Sequence, residues 1–243
     1  MKEDQRLARI FGILYLVTFV TSIPALPLYE PALRNPASYV AGGGHDAKIL
    51  FAVLLELLLI ISDIGTAVVP FPIFRRQSEP LAIGYITARV IECTFIAAGI
   101  IFMLGIVSLR HDSPHAADLA VSYAALKDWT LRLGPGFIVG WGNGLILAYI
   151  MYRSQLVPRA ATWLGLIGGP LLIVVATAIL FTGNPSNQLH GLNAIATIPE
   201  ALWELFLGVY CTIWGFRKDS PVLSDSAHQG LKPVSPATAV PPG

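Results

Sequence analysis

The run from Lys48 to Phe71, KILFAVLLELLLIISDIGTAVVPF, constrains the fold more than any other feature of the chain. It is long enough to cross bilayer hydrocarbon, which takes about 20 mostly apolar residues in one helix. Five further runs do the same: Leu7–Leu28, Leu81–Leu109, Leu131–Tyr152, Ala160–Thr182 and Ile198–Phe216. Lipid cannot hydrogen-bond a backbone, so a chain built this way spans as helices. The expectation is an all-α polytopic membrane protein, a six-transmembrane-helix bundle in the cell membrane with the lipid bilayer as its first partner.

Composition agrees. Only 13% of the 243 residues are charged, against about 25% in soluble domains. The net charge of +1 provides no basic field for nucleic acid, so that partner class is set aside. Cys93 and Cys211 lie inside apolar runs and form neither a metal pattern nor a disulfide framework. The charged start MKEDQRLAR precedes an apolar stretch too long for a signal-peptide core, which favours a retained first span.

Lys and Arg in short loops set orientation. Ten of the sixteen fall at the start, in the second and fourth loops and in the tail, five fall in the other loops, and Arg89 lies inside the third span. This bias places both termini in the cytoplasm. Residues 1–218 form the expected membrane domain, and the Pro/Ser-rich stretch 219–243 reads as a disordered cytoplasmic tail. The third outer loop, about His111 to Thr130, reads as a short helix with Ser113 as N-cap and Pro114 as its first residue. Its stripe of Leu119, Tyr123, Leu126 and Trp129 suggests that it lies flat on the membrane surface. Gly136, Gly140 and Gly144 recur every four residues, a spacing that lets helices approach closely, and Pro170 predicts a kink in the fifth span.

The spans also carry ionisable residues. Glu56 and Asp63 are two turns apart on the second span, Arg89 and Glu92 share a face of the third, and Glu200 and Glu204 share a face of the sixth. Six such groups facing lipid would cost on the order of 15–20 kcal/mol, so they must turn inward. At 1.5 Å per residue, Asp63 and Arg89 lie roughly 13 and 12 Å from the cytoplasmic ends of their spans, which predicts an ion pair between them. Asn143 falls near the same level, and Glu92 and Glu204 lie slightly deeper. Glu56 and Glu200 lie nearer the outer surface, and Glu200 follows Pro199, where a helix start would favour its charge. Five acids then face one buried Arg. Protons, a cation or a basic ligand must offset the excess.

Glu56, Asp63, Arg89, Glu92, Asn143 and Glu204 are therefore the candidate ligand-binding cluster, with Glu200 and His190 as an outer-side entry. The ligand class is a proton, a cation or a small polar molecule, bound or transported. The first alternative is a structural or partner-binding subunit in which the cluster only fixes packing. The second is an intramembrane metal-dependent hydrolase using His45, His111, His115 and His190 with Asp46 and Asp112. No Gly-x-Ser-x-Gly elbow, Walker loop, HExxH or dinucleotide fingerprint occurs, so no cofactor is expected and a non-enzymatic role is favoured.

Five motifs carry a family resemblance: ARIFGILYLVTFVTSIPA (Ala8–Ala25), LLELLLIISDIGTAVVPFPIF (Leu54–Phe74), GYITARVIEC (Gly84–Cys93), YRSQLVPRAATWLGLIG (Tyr152–Gly168) and PEALWELFLGVYCTIWGF (Pro199–Phe216). With these, the chain resembles a bacterial family of integral membrane proteins known as domain-of-unknown-function family 4386. The resemblance implies about six spans and brings no established activity and no catalytic assignment.

Overall fold

The computed structural model describes residues 2–43, 45–110, 116–182 and 190–224. Among these residues the elements are helical and no strand occurs. Helix α1 spans Lys2–Arg34, α2 Pro36–Ser38, α3 Asp46–Val68, α4 Phe71–Gln77 and α5 Glu79–Leu109. Helix α6 spans Ala116–Leu131, α7 Ala148–Ser154, α8 Arg159–Thr182 and α9 His190–Ile213. A single turn of π-helix, Tyr39–Gly43, follows α2. Two π stretches, Arg132–Ile138 and Gly140–Leu147, join α6 to α7 in one helix of 39 residues.

Among the described residues, five helices are long and apolar enough to cross a membrane: α1, α3, α5, the joined α6–α7 helix and α8. Helix α9 has 24 residues but carries Glu200, Glu204 and Pro199, and it is not among the five. The long helices form a closed ring. Helix α1 packs on α3, α3 on α5, α5 on α6 and the first π stretch, the second π stretch on α8, α8 on α9, and α9 back on α1.

Helix α1 shows how the sequence directs this packing. Its buried residues Ala8, Phe11, Tyr15, Thr18, Ala25, Tyr29 and Ala32 recur at helical spacing, so one face meets α3 and α9. Val17 and Val20 point outward instead, at 37% and 69% exposure. Every ring helix likewise shows apolar residues on its outer surface, among them Ile61, Ile101, Trp141, Val174 and Leu202. A helix apolar on its outer face as well as its inner one suits a hydrocarbon solvent. Helix α8 runs unbroken through Pro170. Its glycines make the close contacts: a Cβ at Gly169 would lie 2.5 Å from the Gly140 carbonyl oxygen, and one at Gly165 would lie 2.7 Å from the Trp203 ring. The packing reading of Gly140 and Gly144 is the one the structure supports, whereas Gly136 meets only the Leu131 carbonyl of its own helix.

Among the described residues two large apolar cores lie inside the ring, with a small third cluster of Val139, Leu172 and Ala196. Phe11, Tyr15, Phe74, Tyr85, Trp203 and Phe216 fill the end that holds the N-terminus. Tyr29, Ile49, Ile96, Ile100, Met103 and Ile106 fill the opposite end. Along α1, α3 and α5, Thr18, Asp63, Arg89 and Glu92 fall between the two large cores, whereas Glu56 lies within the second, between Val53 and Leu59.

Two expectations change. The segment before the fourth span is not a flat surface helix, because α6 continues into that span and packs lengthwise on α5. A Cβ at Gly99 would meet Lys127 and Thr130, and one at Gly105 would meet the Tyr123 ring. Ser113 and Pro114 lie outside the described residues. The packed body also extends past Asp219: Ser220 donates to the Ser154 carbonyl oxygen at 2.6 Å, and Val222 and Leu223 join the N-terminal core.

Candidate functional site

Arg89 of α5 is the centre of the polar layer, 3% exposed. Its Nη1 lies 2.7 Å from Glu92 Oε2 and 3.3 Å from Asp63 Oδ1 of α3. Its Nη2 donates to the Tyr15 hydroxyl at 3.1 Å and lies 3.9 Å from Glu204 Oε1 of α9. Tyr15 and Tyr85 share a hydrogen bond of 2.8 Å, and the guanidinium lies 5.4 Å from the Tyr15 ring centroid. The predicted Asp63–Arg89 pair is therefore present and joins α3 to α5. Asn143, fully buried in the second π stretch, donates to Glu204 and accepts from Trp203 Nε1 at 3.1 Å through its own carbonyl. Asn143 Oδ1 has no partner. A π stretch widens the helix and disturbs its regular ladder, a feature frequent at functional sites.

Glu56 belongs to a separate group. Lys127 Nζ lies 2.6 Å from its Oε1 and 2.8 Å from its Oε2, and Tyr29 donates to Oε2 at 2.8 Å. The sequence reading of five acids facing one cation needs this correction, because Lys127 sits in the α6 part of the fourth helix, 5% exposed, rather than in a surface loop.

Glu200 differs again. Helix α9 begins ten residues before it, at His190, so no helix start lies at Glu200 and the dipole argument does not apply. The residue is 2% exposed, and neither carboxylate oxygen has a hydrogen-bond partner. Its Oε2 lies where α8 and the π stretch carry only glycine: a Cβ at Gly144 or Gly168 would come within 3.0 Å of it.

A cavity of about 320 Å³ reaches all of these groups. Asp63, Arg89, Glu92, Glu200 and Glu204 line one part, and Glu56 and Lys127 line another. The remaining wall is mostly apolar, with Phe19, Leu59, Ile96, Val139 and Leu172. Ile23 and Leu26 of α1, Leu131, and Thr197 of α9 lie at the exposed rim. Five carboxyls against two cations leave a formal excess of three negative charges in the lining. A concave, largely apolar pocket with a few convergent polar groups is the usual form of a small-molecule site.

Of the other candidates, His45 is exposed just before α3, and His190 begins α9. His111, Asp112 and His115 lie outside the described residues. Asp46 pairs with Arg110 and accepts from Tyr39 at 2.6 Å. Burial, together with that hydrogen bond, pushes the Tyr39 hydroxyl up to about 12. Among the described residues, no three His, Cys, Asp or Glu side chains gather as a metal site.

Sequence reasoning missed Tyr15, Tyr29, Tyr85 and Lys127. A tyrosine in mid-span carries a hydroxyl that needs a partner as surely as an acid does, and Tyr85 precedes Arg89 by one helical turn. Lys127 was hidden by assigning its segment to the surface.

No curated protein and no solved structure matches the chain. One family model does, over residues 10–215, most of the described helices with the polar layer inside them. The chain belongs to the family described as Domain of unknown function (DUF4386).

Proposed function

We propose that the protein is a six-span protein of the cell membrane, with both termini cytoplasmic, that binds a small cationic or polar molecule in its central cavity. The observation that carries this reading is the cavity itself, which connects the exposed rim to Glu92, Glu200 and Glu204. A span as the role of α9 is supported by its outer face: Ile195, Ile198, Leu202, Leu205, Val209 and Ile213 are exposed at helical spacing while Glu200 is turned inward. The rim lies at the end opposite the N-terminus, which the distribution of Lys and Arg places outside. At the other end, the core of Phe11, Phe74, Tyr85 and Phe216 closes the ring. Transport would require that end to open in turn.

The competing structural reading draws on the Asp63–Arg89–Glu92 set, whose charges are paired within the chain. Architecture alone asks for such pairing, but it gives no reason to bury Glu200 without a partner.

Cysteine labelling tests the proposal. Cys93 and Cys211 are buried, so Ser22→Cys and Thr197→Cys supply the reactive positions. A membrane-impermeant trimethylammonium methanethiosulfonate added outside intact cells is expected to modify both, while Cys93 and Cys211 stay unmodified. Failure to modify either position, in cells and in detergent solution alike, would overturn the reading.

A further inference from the structure

Glu200 is the one cavity-lining carboxylate whose two oxygens both lack a partner among the described residues. Glu56 is held by Lys127 and Tyr29, Glu92 and Asp63 by Arg89, and Glu204 by Asn143. A carboxylate taken from water without a hydrogen bond or counter-ion is strongly disfavoured, and a buried polar atom left unpaired in a native fold calls for an explanation, a bound ion among them. The surroundings are made for the acid rather than forced on it, since Gly144 and Gly168 leave the space that its Oε2 occupies.

From this arrangement we infer that the cavity takes an organic monocation, an ammonium carried on an apolar body. Its nitrogen lies at Glu200 and Glu204, and its hydrocarbon lies along Phe19, Leu59, Ile96 and Leu172. The inference rests on the cavity being a binding site, as proposed above, and adds the ligand class.

Each alternative charge meets an obstacle on the same wall. An anion would enter a lining with an excess of acids whose two cations, Arg89 and Lys127, are already engaged. A bare metal ion prefers several converging oxygen, nitrogen or sulfur ligands, and the described His, Cys, Asp and Glu form no such group. A polyamine would place its second charge against apolar wall, because the other acid cluster, at Glu56, is neutralised by Lys127. A neutral polar molecule would meet Glu200 only with the acid protonated, and it would then bind no less tightly than an amine of the same shape. A single ammonium satisfies the acid, and an attached alkyl or aryl group satisfies the rest of the pocket.

The test uses the full chain in detergent micelles and three probes of one shape: 4-phenylbutylamine, 4-phenylbutan-1-ol and 4-phenylbutyrate. Saturable binding is read by equilibrium dialysis. The amine is expected to bind at least tenfold more tightly than the alcohol, and the carboxylate more weakly still. Glu200→Gln keeps the shape of the side chain and is expected to erase the preference for the amine over the alcohol. Equal or tighter binding of the alcohol or carboxylate by the wild type, or a preference retained by Glu200→Gln, would overturn the inference. The wild-type series decides the charge even if the variant folds poorly. If none of the three binds while Ser22→Cys and Thr197→Cys still react from outside, the ligand class is wrong and the cavity reading stands. If neither cysteine reacts, both fall.

Discussion

Replacing Arg89 by methionine keeps an unbranched side chain but removes the guanidinium at the centre of the polar layer. Arg89 is 3% exposed and Glu92 5%, so protein encloses both and water from the cavity reaches only one side of the stranded carboxylates. The change deletes the 2.7 Å contact to Glu92, the 3.3 Å contact to Asp63 and the 3.1 Å hydrogen bond to Tyr15. Removing one partner of a buried ion pair costs about 3–5 kcal/mol because the other charge stays buried. At about 1.4 kcal/mol per decade, that is roughly two to four orders of magnitude in the ratio of folded to unfolded protein. Reversible unfolding in mixed dodecyl sulfate and non-ionic micelles, followed by tryptophan fluorescence, measures it. The triple variant Arg89→Met, Asp63→Asn, Glu92→Gln removes the orphaned charges together and should recover at least half of the loss. A loss below about 1 kcal/mol for Arg89→Met, the range of a solvated surface pair, would refute the claim that the charges of the polar layer depend on one another.

The second ion pair gives a parallel case: Lys127→Met strands Glu56 with only Tyr29 and should destabilise by about 3–5 kcal/mol, and adding Glu56→Leu should restore most of it in the same unfolding assay. Gly169→Leu drives a side chain into the Gly140 carbonyl and the Gly144 backbone and should cost about 1–3 kcal/mol or more. Gly84→Ala, whose Cβ would meet Ile146 at an ordinary 3.6 Å, should be close to neutral in the same assay. Val222→Asp places a carboxylate in the N-terminal core and should lower the yield of folded protein on size-exclusion chromatography, whereas exposed Ser224→Asp should not. The Tyr39 hydroxyl, pushed from its ordinary value of 10 up to about 12, holds its proton longer when folded. Its contribution to stability is complete below pH 10 and is lost between about pH 10 and 12, so Tyr39→Phe should flatten that part of a stability–pH curve.

The apolar runs made the helical class and most of the long helices legible in the sequence, because burial in hydrocarbon needs about 20 residues whatever the neighbours are. The pairing of Asp63 with Arg89 was also legible, since depth along two antiparallel helices follows from residue count. Lys127 was not. Its level depends on α6 continuing through Arg132 and Pro135 as one helix, and no local signal distinguishes that from a break at the membrane surface. Glu200 was misread for a similar reason: Pro199 marks a frequent helix start, but α9 had already begun at His190. Which acid would lack a partner could not be read from spacing, because it depends on Gly144 and Gly168 arriving from two other helices.

The position of the charged layer between two greasy cores has a mechanical meaning. If α1, α3 or α5 slid along its axis by a turn, about 5.4 Å, its polar groups would enter either the edge-to-face Phe11–Phe74 contact or the Met103–Ile106 packing. Axial sliding is thereby blocked, while tilting is not. Arg89, held to Asp63 of α3 and Glu92 of its own helix, therefore sets the register of α3 against α5.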